Sequence, residues 1–186
     1  MNLRSVLELD ARLSVQMRVA EKPGALRAIA AFLAHSGDSW FWGAALILGW
    51  FLGSSSWKKW ISVEFLGISL LVVLVMCIKF LVRRRRPEGE WGSIYRNTDP
   101  HSFPSGHAAR SLLIATLALG LVPAWFAVLL WFWAPLVAVA RVAMGVHYIS
   151  DVAAGAALGI VCGLIGLQVY EPTFIWITNL VGFSFW

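Results

Sequence analysis

The sequence predicts an all-α protein: a polytopic membrane helix bundle of about five transmembrane helices, preceded by an N-terminal amphipathic interfacial helix. Three observations lead there. Hydrophobic residues make up 59% of the 186 positions, and mean hydropathy is +0.73, more apolar than a soluble domain of this size. The apolar residues fall in runs near the roughly 20 residues that a bilayer crossing needs. The formal charge of +5 sits beside those runs, so anionic lipid head groups, and not nucleic acid, are the expected partners. One domain is expected over 1–186, with an interfacial segment at 3–36, a transmembrane core at 38–170 and an interfacial tail at 172–186.

Residues 3–20 carry Leu3, Val6, Leu7, Leu13 and Met17 at helical spacing, with Arg4, Glu8 and Arg12 in an opposite row. Such a helix lies on a membrane surface or packs on neighbouring loops. Residues 25–36 are too short to span. The first crossing is expected over 38–53, with Asp38 as N-cap and Trp40 and Trp42 at the interface. The second covers 59–82; Pro87 disfavours helix at Arg86, so it should end near there. The third runs over 105–122 and stops at Pro123, the fourth over 124–143, and the fifth over 148–170, ending before Pro172. A sixth arises if the N-terminal region or the C-terminal tail inserts. Gly155, Gly159 and Gly163 recur every four residues, a signal for close helix packing. Cys77 and Cys162 both sit in apolar runs and suggest neither a disulfide nor a metal site.

Counting crossings places the chemistry. The loop joining crossings two and three and the turn joining four and five emerge on the same face. Three polar segments therefore meet at one water–lipid boundary: Lys79 to Arg86, Pro104-Ser105-Gly106-His107, and Arg141 to Asp151. At i, i+4 on a helix, Asp151 would hold one ring nitrogen of His147 and leave the other free as base or nucleophile. The same pair also fits a capping histidine beside a structural carboxylate. Lys79 and Arg141, taken singly, fit snorkelling interfacial cations. Arg83, Arg84 and Arg85 read as head-group and topology charges. Ser105 suits an N-cap, Gly106 lets an anion approach the backbone, and the helix start is a ready phosphate site. His107 is placed to protonate a leaving oxygen. Lys79, Arg86 and Arg141 together make sense around something negative.

These three segments, Lys79-x6-Arg86-Pro87, Pro104-Ser105-Gly106-His107 and Arg141-x5-His147-x3-Asp151, resemble the signatures of the type-2 phosphatidic acid phosphatase superfamily, which includes lipid phosphate phosphatases and is related to vanadium haloperoxidases. The resemblance implies that His147 attacks phosphorus to form a phosphohistidine, that Asp151 orients it and that His107 protonates the departing group. It implies that Lys79, Arg86, Ser105, Gly106 and Arg141 hold the phosphate, with no metal and no cofactor. One departure is visible: Ala140 stands where the family commonly has Ser, so one hydrogen bond to phosphate, worth about 1 kcal/mol, is expected to be missing.

The expected function is hydrolysis of a lipid phosphate or diphosphate monoester, with phosphatidic acid, phosphatidylglycerol phosphate and polyprenyl phosphates or diphosphates all fitting. A catalytically silent lipid-phosphate binder is the alternative; a haloperoxidase is disfavoured by the lipid-adjacent site. The sequence does not indicate an oligomeric state. The site face collects the N-terminal charges, Arg83 to Arg86 and Arg96, against Lys58 and Lys59 opposite, which predicts a cytoplasmic site.

Overall fold

The computed structural model describes residues 2–89, 91 and 99–182. These form helices α1 (Leu3–Gln16), α2 (Ala25–Ser36), α3 (Ser39–Leu52), α4 (Ser55–Val82), α5 (Gly106–Leu121), α6 (Ala124–Ala143) and α7 (Ile149–Val181), with no strand among the described residues. Helices α4, α6 and α7 are long and apolar enough to cross a membrane; α2, α3 and α5 are shorter apolar helices. Side chains such as Leu52, Phe132 and Leu81 stay exposed on the bundle, the surface of a membrane protein.

Helix α5 is the axis of the bundle. Every residue from Ala108 to Ala118 is buried, as expected of a helix apolar on all sides. Helix α7 lies directly on it, and the glycine spacing explains how. A Cβ added at Gly155 would sit 2.4 Å from the Ser105 carbonyl oxygen, and one at Gly159 would sit 2.1 Å from that of Ala109. Backbone meets backbone there. Because α5 and α7 both begin at the same end of the bundle, this contact fixes their first turns side by side.

One helix end agrees with expectation and one differs. Helix α4 stops at Val82, the expected bound, where Arg83 takes a left-handed conformation (φ 53°) and donates its N–H to the Lys79 carbonyl at 2.9 Å. Helix α7 does not stop before Pro172 but continues to Val181. Proline removes one N–H from the ladder, a loss that packed membrane helices tolerate. Beyond it, Phe174 is buried with Tyr170 against Val63, Leu71, Leu113 and Leu117. The expected interfacial tail is thus helical over 172–181; residues 183–186 lie outside the described residues.

Helix α1 packs onto the start of α7. Asp10 Oδ1 accepts the Ser150 N–H at 3.0 Å, and Ser14 Oγ accepts the Ile149 N–H at 3.0 Å. These are first-turn donors that α7 cannot satisfy itself. After α4, the chain returns so that Ser102 N–H donates to the Arg84 carbonyl at 2.8 Å and Arg85 bridges to His101. That pairing sets Arg86 beside the segment that leads into α5.

Candidate active site

Lys79 comes from the last turn of α4 and Arg86 from the extended segment beyond it. Gly106 and His107 come from the first turn of α5, Arg141 from the last turn of α6, and His147 from the turn before α7. All six line one cavity, with Ser39, Asp99 and Arg110. The remaining wall is apolar: Leu71, Val72, Val75 and Met76 of α4, with Val72 and Met76 exposed to the bundle surface. Ser105 and Asp151 lie behind the lining and are fully buried.

His147 is buried, and Arg86 Nη1 approaches its Nε2 at 3.2 Å while also donating to the Val146 carbonyl at 2.9 Å. A guanidinium only donates, so Nε2 is the acceptor and the ring proton belongs on Nδ1. Burial pushes the ring well below its ordinary proton affinity, and the charges of Arg86, Arg141 and Lys79 push the same way; the Ser102 backbone opposes them. The result is a neutral imidazole whose Nε2 lone pair faces Arg86.

Asp151 does not share a helical face with His147, because His147 precedes the helix and Asp151 sits in its first turn. The Nδ1 to Oδ2 distance is 3.6 Å, too long for a hydrogen bond. Oδ2 instead accepts the Tyr148 N–H at 2.9 Å, and Oδ1 accepts from Arg84 at 2.7 Å. Asp151 is thus a structural carboxylate that itself caps α7, and His147 is not the cap. Arg84, expected to be a head-group charge, is a structural hub. It joins Asp151 to Asp10 at 2.7 Å, donates to Ser150 at 2.6 Å and stacks on the Tyr148 ring at 4.0 Å.

Ser105 caps α5, its hydroxyl facing the Ala108 N–H at 3.4 Å, and its own N–H donates to the Asp151 carbonyl at 2.9 Å. Its side chain therefore faces the helix and not the cavity. The departure at Ala140 also falls elsewhere. That residue is buried with Ala20, Ala30, Ala34 and Met144, in the contact between α2 and α6, and does not line the cavity.

Three lining or supporting groups were not read from the sequence. Asp99 bridges the two cations assigned to phosphate, at 2.6 Å from Lys79 Nζ and 2.7 Å from Arg86 Nη2. Arg110, one turn after His107, donates to Ser39 Oγ at 2.7 Å and to the Gly37 carbonyl at 3.1 Å. A lone cation inside an apolar span was the signal that could have found it. Asp38, expected as a helix cap, makes no side-chain cap bond. Its Oδ1 lies 2.7 Å from His107 Nε2 and its Oδ2 lies 3.0 Å from His35 Nδ1. Burial alone would raise its carboxyl, but the hydrogen bonds from His107 and His35 hold it below the ordinary carboxylate value.

Two imidazoles and four cations around one cavity are suited to moving a phosphoryl group. The model of the PAP2 superfamily matches residues 58–174. The chain belongs to the PAP2 superfamily. The decaprenylphosphoryl-5-phosphoribose phosphatase of Mycobacterium tuberculosis is 33% identical over 160 residues, covering 85% of this chain and 88% of that one. The lipid A 1-phosphatase of Porphyromonas gingivalis is 32% identical over 124 residues, 65% of this chain; the match spans about a quarter (26%) of that longer protein. Among solved structures, Aquifex aeolicus LpxE superimposes with TM-score 0.69 at 28% identity, covering 86% of this chain and 95% of that one. The transmembrane PAP2-type phosphatidylglycerolphosphate phosphatase from Bacillus subtilis gives TM-score 0.72 at 22% identity over 90% and 87% of the two chains, a likeness of fold. This PAP2 member is thus a membrane protein whose named relatives are lipid phosphatases.

Proposed function

We propose that this PAP2 protein hydrolyses a lipid phosphate or diphosphate monoester through a phosphohistidine on His147. One observation carries the reading: His147, with its Nε2 lone pair held toward Arg86, shares a cavity with His107, Lys79 and Arg141. Nε2 attacks phosphorus as the bond to the departing oxygen breaks, and His107 delivers a proton to that oxygen. Lys79, Arg86 and Arg141 balance charge on the equatorial oxygens. Gly106 and the open start of α5 offer backbone N–H groups, with Ser105 and Asp151 holding that start and the start of α7 in place. Water then releases phosphate from the histidine. No metal or cofactor enters this scheme.

The apolar lip of the cavity supports a lipid substrate. Val72 and Met76 lead from the bundle surface to Lys79, one to two helical turns away, so an acyl or prenyl chain can lie along α4 with its head group at the cations. Relatives acting on decaprenyl-linked and lipid A phosphates fit the same class. Phosphatidic acid, phosphatidylglycerol phosphate and polyprenyl phosphates or diphosphates are the candidates. Phosphate release from a panel of these lipids tests the reading. Turnover of at least one, abolished in His147→Ala while the protein stays folded, is the expected result. A folded wild-type protein silent on all of them would leave a lipid-phosphate binder in its place.

Five crossings, α3 to α7, with α1 along the interface, and a cytoplasmic site complete the proposal. The charge bias supports that side, since Arg83 to Arg86 lie on the face of the cavity and Lys58 and Lys59 on the other. Arg96 falls outside the described residues. Glu88, exposed and two residues beyond Arg86 in the chain, is a suitable probe position. In a variant lacking Cys77 and Cys162, Glu88→Cys should resist an impermeant thiol reagent in intact cells; ready labelling would reverse the orientation.

A further inference from the structure

We propose that Asp38 is the positioning residue for the acid of this reaction, keeping His107 charged and oriented so that its second ring nitrogen can give up a proton. The proposal rests on the phosphatase reading above. It starts from the Asp38 Oδ1 to His107 Nε2 distance of 2.7 Å, a contact across 69 residues of sequence between the α2–α3 turn and the first turn of α5.

Asp38 is built into that turn and is not a passing surface charge. Arg110, one helical turn after His107, fastens the same turn by its bonds to the Gly37 carbonyl and Ser39 Oγ. Val137 of α6 and the His107 ring crowd Gly37 so closely that an added Cβ would lie 2.7 Å from Val137 Cγ1 and 3.5 Å from His107 Cδ2. The His107 ring, the Arg110 guanidinium and the turn therefore form one packed unit. Asp38 supplies its negative charge, and His35 holds the second carboxylate oxygen at 3.0 Å.

The chemistry needs such a charge. His107 lines the cavity together with the guanidiniums of Arg110 and Arg141, so a further positive charge there needs a counter-ion. Yet a proton donor to an alkoxide must begin as imidazolium, because Asp38 engages Nε2 and the proton given must leave Nδ1. The step balances simply. His147 Nε2 forms a bond to phosphorus, the phosphorus–oxygen bond breaks with its electron pair on oxygen, and the Nδ1 proton of His107 moves to that oxygen. His107 is left neutral, with Nε2–H still donated to Asp38.

The demand for a proton depends on the leaving group, which separates this role from a structural one. An alkoxide departs poorly unprotonated; a nitrophenolate departs readily. Values of kcat/KM, which cover only steps through phosphoryl transfer, should be compared for decyl phosphate and a decyl-substituted nitrophenyl phosphate, in wild type and Asp38→Asn. Asparagine keeps an acceptor for Nε2–H and removes the charge. The expected result is a loss of about 30-fold or more on the alkyl ester and less than about 3-fold on the aryl ester, a substantial part of the roughly 100- to 10,000-fold that general acid catalysis usually contributes. Equal losses on both esters, or none on either, would overturn the proposal. Should Asp38→Asn not fold, Asp38→Glu carries the test: a smaller loss confined to the alkyl ester supports it, and a uniform change or none overturns it. A folded wild-type protein that cleaves neither ester would remove the phosphatase reading itself, and this proposal with it.

Discussion

Replacing Gly159 by alanine should damage catalysis from the middle of the bundle, without touching the cavity. The new Cβ would stand 2.1 Å from the Ala109 carbonyl oxygen, 2.9 Å from its carbon and 3.0 Å from the Leu113 nitrogen. All three are backbone atoms of α5, so no side chain can swing aside. Ordinary contact begins near 3.4 Å, and the helices must part by about 1 Å, an overpacking strain of about 1–3 kcal/mol. His107 rides on α5 and His147 leads into α7, so the same displacement opens the gap between the two imidazoles. A misplacement of about 1 Å commonly costs about 100-fold in rate. Phosphate release and thermal unfolding in detergent, measured together, give both numbers. Gly43→Ala is the control, since nothing lies within 4 Å of its added Cβ, and it should leave turnover unchanged. Wild-type turnover and unfolding temperature in Gly159→Ala would refute the claim that backbone contact sets the imidazole spacing.

Because the His147 ring is held neutral well below its ordinary pKa, the acid limb of kcat/KM should fall below pH 6.5; a limb at or above 6.5 would contradict the described surroundings. The stability consequence has a definite sign: above pH 6.5 the ring is neutral folded or unfolded, and below it only the unfolded chain gains the proton, so unfolding temperature should drop as pH falls from 6.5 toward 5. Arg84→Ala should lower activity at least about 10-fold and destabilise by about 3 kcal/mol, since it strands the Asp10 and Asp151 carboxylates together, and thermal unfolding with and without Asp10→Asn would show partial recovery. A chelator should leave turnover intact while vanadate, a mimic of five-coordinate phosphorus, inhibits; loss of activity on chelation would point to a metal mechanism.

The sequence reached the fold class and the cavity because both depend on short-range spacing. Pro104 to His107 opens a helix, Arg141 ends one, and six and four residues fix how His147 and Asp151 follow. The structure brings those ends together, and six of the eight expected site residues line the cavity. What stayed hidden is long-range pairing between residues that look ordinary alone. Asp38 resembles a cap until His107, 69 positions away, is beside it, and Arg84 resembles a topology charge until Asp10 meets it from 74 positions away. The relation of His147 to Asp151 turns on a smaller matter. The helix begins at Ile149, beyond His147, so the i, i+4 spacing does not put the two side chains on one helical face and Asp151 caps the helix instead. Pro172 shows the opposite limit, since a local rule against helix was outweighed by the burial of Phe174 beyond it.

The Asp99 carboxylate between Lys79 and Arg86 changes what substrate entry means. One carboxylate already offsets half the charge of these two cations from within the chain, so a phosphate arriving there competes with a resident anion and does not fall into an empty electrostatic well. The net affinity is then a difference between two attractions, and it is reduced for the product as well as the substrate. A protein that must let go of inorganic phosphate after every turnover has its own counter-ion waiting to reclaim the seat.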